Sequence, residues 1–304
     1  MDAIERDFYE ERRRKWRRSA FWKGFLVAAV LALIIGAIAG SDDLMASRDH
    51  VARVNLTGVI VDDEDRNRML ADLAEADHAR ALILRINSPG GTTVGSEAIF
   101  EAVRVIAETR PVVAVMGEVA ASGGYIAGIA ADHIVARGNT ITGSIGVIME
   151  YPNFTEVMDV LGIGIETVRS SELKAEPSPF RPTNPAARAR DELMIAESYD
   201  WFRDLVGDRR DLGGNALSEV ANGGIFSGRM ALELGLIDEI GGEPQAVAWL
   251  ESREAGLGDL PVRDWEIERE TSALGAIIGA LGANSGILEE ISRLRGGKLY
   301  SIGP

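Results

Sequence analysis

Two apolar runs limit what this chain can fold into more than any other feature. ARALILRIN, residues 79–87, and PVVAVMGEVA, residues 111–120, are almost continuously apolar instead of alternating. A strand with one wet face shows a period of two, and a strand covered on both faces loses it. Each run follows a stretch with helical spacing, RNRMLADLAEA (66–76) before the first and GSEAIFEAVRVIAETR (95–110) before the second. Strands alternating with helices in this way predict an α/β domain with mostly parallel strands.

The pattern extends in both directions. HVARVNLTGVI (50–60) reads as an earlier strand, while HIVARG (133–138) and TITGSIGVIM (140–149) read as short later ones. A helix is expected near Phe154–Leu161, a strand at IGIETV (163–168), and a long helix from Pro185 to about Arg210. LSEVANGGIFSGRMALELGLIDEIGG (217–242) predicts a helix, a glycine turn, a second helix and a short strand. LPVRDWEIE (260–268) is a further strand candidate, followed by apolar SALGAIIGALG (272–282) and basic ISRLRGGKLY (291–300). At about 11 residues the apolar stretch is too short to span a bilayer, so a neighbouring subunit or the membrane surface is its expected contact.

Charge is spread unevenly. The net charge of the whole chain is −15, but residues 1–24 hold eight basic and five acidic side chains, which leaves −18 on residues 25–304. A body that acidic argues against nucleic acid as a partner, because binding it needs lysine and arginine on the phosphates. The basic cluster Arg12–Arg18 precedes FLVAAVLALIIGAIAG, residues 25–40. With Phe21, Trp22 and a snorkelling Lys23, the stretch reaches the roughly 20 residues that cross a bilayer. Basic flanks stay cytoplasmic, so the body is expected outside the inner membrane. A cleaved signal peptide, with Ala37-Ile38-Ala39 as its site, is the alternative. The expected organisation is a cytoplasmic leader (1–24), a single-pass anchor (25–40), a linker (41–49), a catalytic domain (50–250) and a C-terminal strand with its apolar tail (251–304).

Chemistry concentrates at the ends of the two apolar strands. SPGG, Ser88–Gly91, ends the first, and AASGG, with Ser122, ends the second. SPGG is either a tight turn or half of an oxyanion hole, since glycine exposes backbone N–H groups. Ser122 is either the cap of the next helix or a nucleophile at a strand-to-helix junction, where the following N–H faces a developing oxyanion. AASGG lacks the first glycine of G-x-S-x-G, so the α/β-hydrolase elbow is not matched. The chain has no cysteine, which removes thiolate nucleophiles and thiolate zinc sites.

Three histidines are available as bases, and none is well placed. His50 starts the domain, His78 lies in polar EADHARA, and His133 lies eleven residues past Ser122 at a helix-to-strand boundary. Lys174, in SSELKAEPSPFRP (170–182), is the remaining candidate. A free lysine titrates near ~10.4 and is charged at neutral pH, but desolvation in an apolar pocket can make one a base. Arginine cannot be tuned in this way.

NSPGG, AASGGYIAGIAADHIVA, TGSIGVIME, LKAEPSPFRP and GGIFSGRMALELGLIDEIGG occur in that order over roughly residues 50–245. In this the chain resembles the bacterial signal peptide peptidases, or protease IV, which share the Clp-protease/crotonase-like fold. The separation of 52 residues between Ser122 and Lys174 matches the short, single-repeat form. The resemblance implies Ser122 as nucleophile, Lys174 as general base and Ser144 as the residue that orients the lysine. It implies an oxyanion hole from the N–H groups of Gly91 and Gly123, and needs no cofactor or metal. It further implies hydrophobic peptide substrates, such as signal-peptide remnants, and a homo-oligomeric ring whose neighbouring subunits complete each site. Ile126 and His133 depart from the family's usual tyrosine and lysine, and neither position touches the implied dyad. Rival expectations are an acyl-CoA enzyme of the crotonase type and an inactive membrane scaffold of the same fold.

Overall fold

The computed structural model describes residues 48–267, together with Trp22, Lys23, Phe25, Leu26 and Val30 of the leading segment. Most of the expected anchor and nearly all of the tail after Trp265 lie outside the described residues. Among those described, no helix is long and apolar enough to cross a membrane. The chain divides into Met1–Trp265 and Glu266–Pro304, and the fold below belongs to the first unit.

A mostly parallel sheet forms as the apolar runs require. The strands β1 (His50–Thr57), β2 (Ala79–Ser88) and β3 (Val112–Ala121) pair in parallel at its centre. Beyond β3, β4 (His133–Ala136) pairs with its first half and β5 (Ile141–Gly143) with its end. β6 (Ile225–Ser227) adds to β5 antiparallel, β7 (Glu239–Ile240) adds to β4, and β8 (Val262–Trp265) forms the opposite edge against β1. Thus the strand expected in the C-terminal segment belongs to the same sheet as β3, the strand that ends just before Ser122.

Both faces of the sheet are covered. The helices are α1 (Glu64–Glu75), α2 (Thr93–Ala107), α3 (Gly123–Ile129), α4 (Thr155–Leu161), α5 (Pro185–Arg210), α6 (Gly214–Val220), α7 (Gly228–Glu233) and α8 (Glu243–Arg253). On one face Val51, Ala81, Ile83, Val113 and Val135 pack with Ala246 and Leu250 of α8. The alternate residues Leu82, Leu84 and Ile86 point the other way, as the pleat demands, on the side where α3 packs on β2 and β3. Helix starts follow their local chemistry. Asp63 accepts from the N–H groups of Asp65 and Arg66, and Asn184 caps α5 ahead of Pro185.

Three elements differ from the sequence expectation. IGIETV is irregular and not a strand. Its apolar residues Ile163, Ile165 and Val168 are exposed, so the alternation there faces no sheet. β6 was too short to show a period, and α8 was not singled out because its apolar spacing is sparse.

Candidate active site

The carboxyl ends of parallel strands are where α/β sheets place ligands, and β2, β3 and β5 all end at one cavity. Its volume is about 770 Å³, and Gly91, Ser122, Gly123 and Ser144 line it with apolar Ile126 and Phe202. Four of the residues singled out from sequence therefore meet there.

Ser122 turns the chain from β3 into α3 with φ 53° and ψ −121°, a conformation that glycine reaches easily and serine does not. The junction is held by its backbone, with Ser122 N–H donating to Gly143 O at 2.8 Å and Tyr125 N–H donating to Ser122 O at 2.8 Å. The side chain makes no capping hydrogen bond. Ser122 occupies the cap position without acting as a cap, and it lines the cavity instead.

The SPGG turn presses directly on this junction. Gly90 has φ 109°, and a Cβ there would lie 2.9 Å from both Gly123 N and the Ser122 Cβ. A Cβ on Gly91 would overlap the Ile60 carbonyl, and one on Gly123 would overlap the Ser96 hydroxyl while lying 3.2 Å from Gly91 N. Among the described residues neither Gly91 N–H nor Gly123 N–H donates to a backbone acceptor. Two amides are thereby left side by side next to the serine, which is the geometry that stabilises a tetrahedral oxyanion.

Ser144 follows β5 with φ 51°, and its N–H donates to Gly224 O at 2.7 Å. Lys174 is elsewhere in the chain. It lies in an exposed turn in which its N–H donates to Ser171 O at 3.3 Å, and it is not among the residues lining the cavity. None of the histidines lines the cavity either. His50 is buried against Trp265, whose indole N–H donates to its Nε2 at 3.0 Å. His78 pairs with Asp49, and His133 stacks on Trp249 with ring centroids 4.9 Å apart.

Several supporting residues gave no sequence signal. Glu176, with a side chain only 4% exposed, accepts from Arg169 and from Arg181 and organises the loop that carries Lys174. At the far end of α3, Arg209 donates to the carbonyls of Ile129 and Ala131, both at 2.7 Å, and Arg104 donates to that of Ala130 at 2.8 Å. Tyr125 within α3 is buried and donates to Leu236 O at 2.8 Å, and burial pushes its phenol well above the ordinary range. These partners lie far away in sequence, so only the folded chain reveals them.

Comparison with known proteins decides the family. The family model for Peptidase family S49 matches residues 105–257, and that for Clp protease matches residues 42–138. A Synechocystis sp. protein named as a protease is 35% identical over 206 residues, 67% of this chain and 74% of its own. The chain belongs to peptidase family S49. An Enterococcus faecium relative named as a signal peptide peptidase is 30% identical over 236 residues, 73% of this chain and 68% of its own. Protease 4 of Haemophilus influenzae is 33% identical over 243 residues, 77% of this chain but 39% of that longer one. This S49 member is a serine peptidase, and the two family matches overlap on the segment that contains Ser122. The mostly parallel α/β sheet agrees with a Clp-protease-like fold.

Proposed function

We propose that the S49 peptidase cuts hydrophobic peptides with a Ser122/Lys174 dyad, and that Lys174 reaches Ser122 from a neighbouring copy of the chain. The observation that carries the reading is the strained Ser122 beside the two unpaired amides of Gly91 and Gly123. In the mechanism the neutral lysine takes the Ser122 proton as the hydroxyl oxygen attacks the peptide carbonyl. The Gly91 and Gly123 N–H groups hold the oxyanion, and the lysine returns the proton to the leaving amine. Water, activated by the same lysine, then hydrolyses the acyl-enzyme. Ser144, on the cavity wall, orients the amine.

Two features support a base from a neighbouring subunit. The cavity wall of a single chain includes neither lysine nor histidine among the described residues. The segment that leads to Lys174 also leaves apolar side chains in solvent, among them Val160 at 87% and Ile163 at 53% exposure, as a surface awaiting another copy does. The apolar residues of the wall suit hydrophobic peptides, and one relative is named as a signal peptide peptidase. Residues 25–40 would anchor the enzyme with its catalytic body on the extracytoplasmic face of the inner membrane. Such placement puts the site next to peptides released within the bilayer.

Labelling by a serine-directed fluorophosphonate tests the dyad. Wild type is expected to label, and Ser122→Ala and Lys174→Ala are expected not to. Labelling that persists in Ser122→Ala, or ignores loss of Lys174, would sink the reading.

A further inference from the structure

Ser88 is the last residue of β2, fully buried, and no part of the mechanism above uses it. Its hydroxyl accepts from the Gly90 N–H at 3.1 Å and points its own hydrogen toward Gly90 O, 3.4 Å away. The carbonyl of Gly90 also accepts from Ile60 N–H at 2.9 Å, and Ile60 O accepts from Thr92 N–H at 2.8 Å. The Gly90 N–H and C=O and the Thr92 N–H, on either side of Gly91, are thus held, and the Gly91 nitrogen lies 3.2 Å from where a Cβ on Gly123 would be. On its other side Ser88 abuts α3, since a Cβ on Gly124 would lie 2.7 Å from the Ser88 carbonyl oxygen. One residue therefore touches both halves of the oxyanion hole, the turn that offers Gly91 and the helix that begins at Gly123.

We propose that Ser88 is a positioning residue of the oxyanion hole: its hydroxyl fixes the Gly90 peptide and thereby aims the Gly91 N–H at the developing oxyanion. The physical reason is the conformational freedom of a glycine pair. Gly90 and Gly91 have many accessible backbone states, and a hydrogen-bond donor stabilises a transition state only when its direction is set in advance. A displacement of about 1 Å at such a donor can cost as much as 100-fold in rate. Among the described residues, the Ser88 hydroxyl is the one side-chain group that hydrogen-bonds to this glycine pair, as acceptor from the Gly90 N–H and donor to the Gly90 carbonyl. The inference rests on the reading of Gly91 and Gly123 as the oxyanion hole.

The test uses the full-length chain and a fluorogenic hydrophobic peptide, with active sites counted by the end point of fluorophosphonate labelling. Counting sites separates a badly aimed donor from a loss of folded protein. Ser88→Ala removes one oxygen and Ser88→Cys replaces it with a weaker acceptor, so that one variant remains informative should the other fail to fold. The expected result is a kcat per labelled site about tenfold or more below wild type in Ser88→Ala, a smaller loss in Ser88→Cys, and KM within about twofold. Affinity for a peptide boronate, which becomes a tetrahedral anion on the serine, should fall by the same factor as kcat. A kcat per site within about twofold of wild type in the variants that fold, or a loss carried by KM, would overturn the role of Ser88 alone. Activity that survives Ser122→Ala in the same assay would instead overturn the underlying mechanism.

Discussion

The N–H of Ser122 donates to the carbonyl of Gly143 at 2.8 Å, so Ser122 is one hydrogen bond and one residue away from Ser144. Both serines have positive φ, 53° and 51°, on the two sides of that bond. Strain of this kind persists only where the surroundings overdetermine the backbone. Here β3 and β5 pair in parallel up to this point, and the pairing holds both turns at once.

Relief of that strain is measurable. Ser122→Gly and Ser122→Ala are both expected to be inactive, but glycine accepts the φ of 53° and alanine does not. Chemical denaturation should find Ser122→Gly more stable than Ser122→Ala by about 1–3 kcal/mol. Equal stabilities would show that the turn is relaxed.

The contact between Gly123 and Ser96 predicts a coupled pair. Gly123→Ala drives a methyl group into the Ser96 hydroxyl and should reduce kcat by at least tenfold, given what one misplaced oxyanion donor costs. Ser96→Ala removes that oxygen and leaves the methyl a contact of 3.2 Å with the Ser96 Cβ. The double variant should therefore recover part of the loss, and a double-mutant cycle in kcat that is merely additive would refute the contact.

Mixing subunits addresses where Lys174 acts. Ser122→Ala chains and Lys174→Ala chains are each expected to be inactive alone. Refolded or exchanged together, they should regain peptidase activity, because a site can then take Ser122 from one chain and Lys174 from the other. Mixtures that stay inactive while co-assembling would place the dyad within one chain.

Glu176 should control the loop rather than the fold. Its nearly buried carboxylate holds Arg169 and Arg181, and removing one partner of such a cluster leaves charges uncompensated. Glu176→Ala is expected to speed proteolysis within residues 169–182 and to reduce fluorophosphonate labelling several-fold, with the melting transition of the sheet little changed. An unaltered cleavage rate would show that other contacts hold the loop.

Acid should loosen the edge strand. The bidentate bond from Arg53 holds the Asp264 carboxyl below its ordinary value, with Asn55 also donating to it. A carboxyl whose pKa is lowered by folding contributes stability above its unfolded value, near ~3.9, and loses it as pH falls through the lower folded value. Asp264→Asn should thus flatten the fall in stability below about pH 4. A slope identical to that of wild type, measured by urea denaturation, would remove Asp264 from the acid response.

The sheet was legible because it is buried. β2 and β3 must exclude water from both faces, and their continuous apolar runs say so without help from the rest of the chain. IGIETV misled for the opposite reason, since apolar alternation implies a strand only where there is a sheet to cover it. Ser144 and the pairing of Gly91 with Gly123 came only from the family resemblance, while Ser122 and the SPGG turn could be read from glycine-rich junctions at strand ends. The absent cap at Ser122 could not, because a positive φ is imposed by Gly143 and the SPGG turn and has no local sequence mark. Glu176, Arg104 and Arg209 escaped notice since a charged residue looks the same whether it serves a distant carbonyl or faces solvent.

The grip of Arg209 on the end of α3 also sets an order in time. Its partners Ile129 and Ala131 lie 80 and 78 residues earlier, and a seven-residue helix containing three glycines does not persist unsupported. During synthesis the Ser122 segment leaves the ribosome long before the arginine that closes it. A chain released early, anywhere short of the end of α5, would carry the serine without the scaffold that arms it.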